Sequence, residues 1–365
     1  MTIDTAPLRR LFASAGFVFV EPAIVHPANA FVELAGEDLR RRLYLTSGAD
    51  GAELALRPDY TIPVCLMHLA TGPAARKASY AYLGPVFRIR DAGLPGEFLQ
   101  AGIESLGRTD RVAADADVLQ LAFAAADTLG LRKPVVRIGD SALFAAVLDA
   151  LDLNAPWQRR LERTFGDTKR LKALIARANG TSATAEPASP APSRAKLRAS
   201  VAAQLAETGL ATVGGRTAEE IADRAIEKEA LAQGIGARAA SVLTRFLAIG
   251  GAPDQAAADF RAVAKDESLD IAKALDRFEK RTAAFAAHGI DLAGLTFAAD
   301  FGRRLDYYTG FVFEFHGRRK SPGPVIGGGR YDRMTAHIAR STGGAGEAVP
   351  AVGFSIWLDR IGSAA

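Results

Sequence analysis

Thirteen consecutive residues, Arg303-Arg304-Leu305-Asp306-Tyr307-Tyr308-Thr309-Gly310-Phe311-Val312-Phe313-Glu314-Phe315, constrain this chain more than any other stretch. Phe311, Phe313 and Phe315 alternate with Val312, Glu314 and His316. That period of two predicts a β-strand laying a phenyl face on a core. Ahead of the strand stand two guanidinium groups, a carboxylate and two phenols within six positions. Such a density of hydrogen-bonding groups at a strand entrance points to a binding site. The bland alternative is an edge strand whose arginines are solvated and whose tyrosines pack flat.

A chain of 365 residues has material for one large core or two modest ones. Its 49% hydrophobic and 24% charged content is that of an ordinary globular protein. Basic residues outnumber acidic ones by 45 to 41, a net +4. This permits phosphate-bearing partners without demanding them, and no concentrated basic arm stands out. The single cysteine, Cys65, excludes an intrachain disulfide and fits a reducing, cytoplasmic compartment. Five scattered histidines without paired cysteines predict no metal site. Arg9-Arg10 and the apolar run to Val20 mimic a signal sequence but continue into Glu21-Pro22 without a cleavage site. No stretch reaches the length of a membrane span.

Along the chain, a helix is expected over residues 7–15 and a strand over Phe17 to Val20. Leu43 to Leu45 and Ala52 to Leu56 read as a hairpin across Gly48 to Gly51. Pro58 then forces an extended turn, so Asp59 and Thr61 are expected to open a helix with their oxygens exposed. Tyr82 to Arg90 and Phe98 to Glu104 read as strand, loop and returning strand; Gln100 and Glu104, four apart, face one side. Asp115 is expected to cap a helix closed by Gly130, and Val135 to Ile138 to form a strand. Residues 151–295 change to Ala-rich amphipathic helices, with a capping box at Thr217 to Glu220 and a stripe of Ile271, Ala274, Leu275 and Phe278. Within them the Pro, Ala and Ser tract 181–193 reads as a mobile loop or linker. A short strand over Phe297 to Phe301 follows. Gly327-Gly328-Gly329-Arg330-Tyr331-Asp332 reads as a turn needing positive φ or close backbone approach, and it lacks the P-loop ending. Pro350 to Ile361 reads as a strand turning into a helix. The chain thus divides into 1–150 with 296–365, interrupted by a helical insertion, 151–295.

Segments along this chain resemble, in family order, those of histidyl-tRNA synthetases and their paralogues, the regulatory subunits of ATP phosphoribosyltransferase. Arg303 to Gly310 with Val312-Phe313-Glu314 resembles the first histidine-specific signature, and Gly328 to Asp332 the second. Leu56-Arg57-Pro58-Asp59-Tyr60-Thr61 is similar to Leu-Arg-Pro-Glu-Gly-Thr, with Asp59 for the glutamate and Tyr60 for the glycine. Glu21-Pro22, Phe87-Arg88 with its returning strand, and Pro350 to Ile361 resemble motifs 1, 2 and 3 of class II synthetases. The resemblance implies an α+β fold, a class II synthetase-like antiparallel sheet flanked by helices, working as a homodimer through motif 1. It implies a histidine-binding set of Asp59, Thr61, Arg88, Gln100, Glu104, Arg303, Tyr307, Tyr308 and Tyr331. Asp59 and Thr61 would hold the ammonium, Gln100 and Arg303 the carboxylate, and Glu104, Tyr308 and Tyr331 the imidazole, a sensible cage for that zwitterion.

The ATP side departs from the synthetase pattern. Arg88 keeps the α-phosphate position, but Arg90 replaces the following glutamate, the loop through Gly93, Pro95 and Gly96 is short, and Trp357 stands where a small residue is expected beside adenine. An indole there fills nucleotide space, and Arg360 holds the adenine-stacking position. Adenylation without a positioned triphosphate loses most of its catalysis. No anticodon-binding module follows motif 3, so no specific tRNA binding is expected. The resemblance therefore implies a non-catalytic regulatory subunit without cofactor, partner of the short-form catalytic subunit in a hetero-oligomer. That subunit would be required for activity and for feedback inhibition by histidine. The alternative is a truncated histidyl-tRNA synthetase or histidine-activating enzyme.

Overall fold

The computed structural model describes residues 3–32, 37–74, 76–90, 93–180, 194–207, 217–303, 307–317, 323–341 and 346–361. The tract 181–193, and Arg304 to Asp306 within the octet, lie outside them. The strands are β1 (Val18–Phe19), β2 (Val25–Pro27), β3 (Leu45–Ser47), β4 (Glu53–Leu56), β5 (Ala78–Phe87), β6 (Glu97–Leu106), β7 (Val135–Asp140), β8 (Gly250–Gly251), β9 (Leu295–Ala298), β10 (Phe311–His316), β11 (Ile326–Arg330) and β12 (Ala351–Trp357). Among the described residues they form a nine-stranded sheet, β1-β5-β6-β12-β11-β10-β7-β9-β8, and a three-stranded one, β2-β4-β3. β1 runs parallel to β5 and β7 to β9, and the remaining neighbours are antiparallel.

The phenyl-rich strand is central. β10 pairs with β11 on one side and β7 on the other, so the edge-strand alternative does not hold. Phe311, Phe313 and Phe315 are buried against Phe285, Phe354 and Phe123. Each such ring contributes about 1.5–3 kcal/mol of burial. Val312 is buried too, because helices cover this sheet region while its other face roofs the polar site. Helical residues from 151–295, among them Leu171, Phe246, Phe260 and Phe278, join the same apolar cluster as β10.

Local expectations were met where a turn or cap dictates them. The helix Ala218–Ala232 carries the full Thr217/Glu220 capping box, and Gly130 at φ +74° closes the helix Arg111–Thr128. The hairpin closes at Gly48, whose N–H donates to Ala52 O at 2.8 Å, with its first strand at Leu45–Ser47 rather than Leu43 to Leu45.

Three expectations are corrected. Asp115 caps nothing, since Asp110 occupies that position and Asp115 lies one turn inside the helix. Buried there, it accepts from Arg330 Nη2 at 2.6 Å and Nε at 2.9 Å, and faces Arg281 Nη1 at 3.6 Å. Arg281 also bonds Asp140, and Arg330 Nη1 bonds Asp332 at 2.8 Å. Three carboxylates and two guanidinium groups thus compensate one another in low dielectric, fastening the helix Ala272–Ala287 to β11. The glycine run is no turn either: it is β11 itself, paired residue by residue with β10 and β12. The backbone part of that expectation holds: Gly329 sits at φ +156°, and a Cβ on Gly328 would meet Gly353 O at 2.3 Å. The strand expected over Phe297 to Phe301 spans Leu295–Ala298 instead.

Candidate functional site

The site lies where β6, β11 and β12 pass beneath the helix Thr61–Ala70 and the segment entering β10. Asp59 and Thr61 are buried, at 3% and 6% exposure, contrary to the expectation of exposed oxygens. Tyr60 takes the cap position without a side-chain cap bond, and Thr61 Oγ1 turns inward to donate to Glu104 Oε1 at 2.7 Å. Glu104 also accepts from the Tyr331 phenol at Oε2 and from Tyr82 OH at Oε1, 3.3 Å. Gly353, opposite Glu104 on β12, makes room for it: a Cβ there would fall 1.9 Å from Oε2. Burial pushes the Glu104 carboxyl up to about 8, outweighing the hydroxyls of Tyr331, Thr61 and Tyr82 that favour the carboxylate.

Gln100 and Glu104 share the buried face of β6. Gln100 Oε1 accepts the Tyr60 N–H at 3.2 Å, but among the described residues its Nε2 donates to nothing. Asp59 Oδ1 accepts weakly from Ile62 N at 3.4 Å, and its Oδ2 likewise has no partner. Burial raises the Asp59 carboxyl against the opposing pull of Arg88 and Arg303. One acceptor and one donor, both buried and unsatisfied, are costly in an empty fold and suit a ligand carrying complementary groups.

The Arg303 side chain is 8% exposed; its Nη1 donates to Tyr308 OH at 3.0 Å and its Nε faces Glu314 Oε1 at 3.3 Å. Gly327 lies beneath it, where a Cβ would collide with the guanidinium at 2.6 Å. Tyr307 packs against Tyr308 and edge-on to Tyr331, with centroids 4.7 and 6.0 Å apart. Arg88 anchors through Nε to Pro58 O at 2.6 Å. The fold therefore brings together all nine residues singled out in the sequence. It adds Tyr82, Glu314 and Arg57. Gly102, between Gln100 and Glu104, carries the signal for Tyr82, whose hydroxyl fills the space of the missing Cβ. Arg57 is fully buried and donates to Pro22 O, Pro85 O and Tyr60 OH at 2.6, 2.9 and 2.5 Å.

Beside this cage the second half of the site is filled. Tyr60, in the glycine position, stacks on Tyr82 with centroids 4.4 Å apart and planes 3° off parallel. Trp357 packs in the same cluster with Val86 and Phe98. Arg90 does not reach into open space: it pairs with Asp359 at 2.7 Å and lies 4.5 Å over the Phe98 ring. Arg360 is lowered to about 10 by burial, partly offset by Asp359, with Arg88, Arg90 and Arg303 adding repulsion. Among the described residues no three histidine, cysteine or acidic side chains are grouped to hold a metal ion.

The family model described as Histidyl-tRNA synthetase matches residues 5–361. Similar relatives include the ATP phosphoribosyltransferase regulatory subunits of Brucella ovis and Brucella abortus. Each is 43% identical over 355 residues, covering 94% of this chain and 92% and 91% of theirs. Among solved structures, an ATP phosphoribosyltransferase regulatory subunit/histidyl-tRNA synthetase from Bacillus halodurans C aligns with a TM-score of 0.64 at 20% identity, over 98% of this chain and 77% of that one. A histidine–tRNA ligase subunit from Alicyclobacillus acidocaldarius aligns with a TM-score of 0.61 at 23% identity, over 98% and 90%. These likenesses show the class II synthetase-like fold. Together with the 43% relatives, they establish that the chain belongs to the family of ATP phosphoribosyltransferase regulatory subunits, within the histidyl-tRNA synthetase-like proteins.

Proposed function

We propose that this chain is the non-catalytic regulatory subunit of ATP phosphoribosyltransferase in histidine biosynthesis, required by the short catalytic subunit and conferring feedback inhibition by histidine. The observation that carries the reading is the pairing of an unsatisfied zwitterion cage with a filled nucleotide side. Among the described residues Asp59 Oδ2 and Gln100 Nε2 lack partners, whereas Tyr60, Phe98 and Trp357 pack the neighbouring space. In this reading Asp59 takes the ligand ammonium, Gln100, Arg88 and Arg303 its carboxylate, and Glu104 with Tyr307, Tyr308 and Tyr331 its ring. Histidine acts by binding one arrangement of the complex more tightly than another. The chain works in the cytoplasm as a homodimer inside the hetero-oligomer, with 151–295 as a helical insertion in the synthetase-like domain.

The test is phosphoribosyltransferase activity of a short catalytic subunit from the same genome, with and without this chain, titrated with histidine. Activity that requires the chain and falls as histidine rises is the expected result. No dependence on the chain discards the reading. Histidine-dependent exchange of pyrophosphate into ATP by the chain alone would establish the histidine-activating alternative instead.

A further inference from the structure

The net charge of this protein sits almost entirely on one helical hairpin. Residues 155–180 hold seven basic and two acidic residues, a net +5, so the rest of the chain together carries −1. The helices Ala155–Thr164 and Thr168–Gly180 bury Trp157, Leu161, Leu171, Leu174 and Ile175 inward. All seven basic residues are exposed on the outer side. Arg159 pairs with Glu227 at 3.6 Å and Lys172 with Asp300 at 3.2 Å. Arg160, Arg163, Lys169, Arg170 and Arg177 make no ion pair among the described residues. Arg160 and Arg163 lie three apart, and Arg170 and Arg177 seven apart, so each pair shares a helix face.

The hairpin is not a loose appendage. Phe165 at its turn stacks on Phe144, with centroids 4.5 Å apart. A Cβ on Gly302 would meet the Phe165 ring at 2.8 Å, and Thr168 Oγ1 donates to Asp300 O at 3.2 Å. The turn therefore rests on the residues that lead directly into Arg303.

We propose that the exposed basic face of residues 155–180 is a docking surface for an acidic face of the catalytic subunit, on a hairpin whose turn rests against the segment entering the cage. The inference rests on the regulatory-subunit reading. Five exposed cations without an ion-pair partner among the described residues repel one another, and that repulsion is relieved by an anionic partner. A protein partner fits better than a single-stranded nucleic acid, because the one aromatic ring on the first helix, Trp157, is buried and offers no base a stacking platform.

The experiment compares the full chain with the double variant Arg163→Glu, Arg170→Glu, measuring Kd for the catalytic subunit at 50–300 mM NaCl. The expected result is at least about a tenfold weaker complex at low salt and a flatter salt dependence, while histidine binding by the chain alone is unchanged. The pair Arg160→Glu, Arg177→Glu repeats the test should the first variant misfold. Equal affinity of the wild type and both variants overturns the docking surface and leaves the functional reading intact. Absence of any wild-type complex, with no activation, overturns both. Loss of tRNA binding on charge reversal, with subunit binding unaffected, also overturns the proposal and assigns the face to nucleic acid.

Discussion

The indole of Trp357 lies 4.7 Å from the Arg360 guanidinium, occupying the face on which a planar ring would stack. Trp357 Nε1 has no hydrogen-bond partner among the described residues, so the indole is held by its cluster with Tyr60, Val86 and Phe98 and by the Arg303 and Arg360 guanidinium groups over its ring. Trp357→Ala should therefore cost about 3–5 kcal/mol of stability, read as a lower denaturant midpoint. The same variant should bind adenine nucleotides in a filter or fluorescence assay where the wild type does not. A variant of unchanged nucleotide affinity would show that Trp357 is not the obstacle.

Asp59→Asn should separate binding from stability. Asn keeps the acceptor facing Ile62 N and removes a charge that burial disfavours. The thermal midpoint should hold or rise. Histidine binding should weaken by about tenfold to a hundredfold, the loss of one charge-assisted hydrogen bond. Titration calorimetry and thermal melting on the same samples give both signs.

Glu104 should make stability fall with pH. Its folded-state value of about 8 lies above the ordinary 4.5, so the folded chain keeps a proton that the unfolded chain gives up between them. The contribution is whole below about 4.5, declines by at most about 1.4 kcal/mol per pH unit, and is gone above about 8. Denaturant unfolding from pH 5 to 9 should show this slope, and Glu104→Gln should flatten it. Asp59, also raised, adds a slope of the same sign.

Asp115→Ala should be among the most damaging single changes outside the cage. It strips a carboxylate shared by Arg330 and Arg281, both buried. Breaking such a network costs about 3–5 kcal/mol. Because Arg330 precedes Tyr331, whose phenol reaches Glu104, histidine affinity should fall as well. Asp115→Asn, which retains an acceptor, should cost less by chemical denaturation.

Much of the site was legible because its residues cluster in short segments. Asp59 and Thr61 lie two apart, Tyr307 and Tyr308 are adjacent, and Gln100 and Glu104 share a strand face by period alone. Their burial was not legible. A Pro-Asp-Tyr-Thr segment reads locally as a helix cap, and only the carboxyl group of Glu104 on a different element turns Thr61 inward. Asp115 misled for the same reason: an acid near a helix start suits the dipole, and its guanidinium partners lie 166 and 215 positions away in sequence. The glycine run read as a turn because glycine tolerates unusual backbone, whereas here it lets three strands and Arg303 approach closely.

What the sequence determined by itself is the set of local elements and the inventory of polar groups, since periodicity, caps and turn residues act over a few positions. What only the tertiary structure decided is which of those groups are satisfied. Long-range packing leaves Asp59 Oδ2 and Gln100 Nε2 bare, fills the adjacent space with Tyr60 and Trp357, and gathers the protein's excess charge onto one exposed hairpin face. Satisfaction of a polar group depends on atoms brought to it across the fold, and desolvation sets the cost of leaving it unmet.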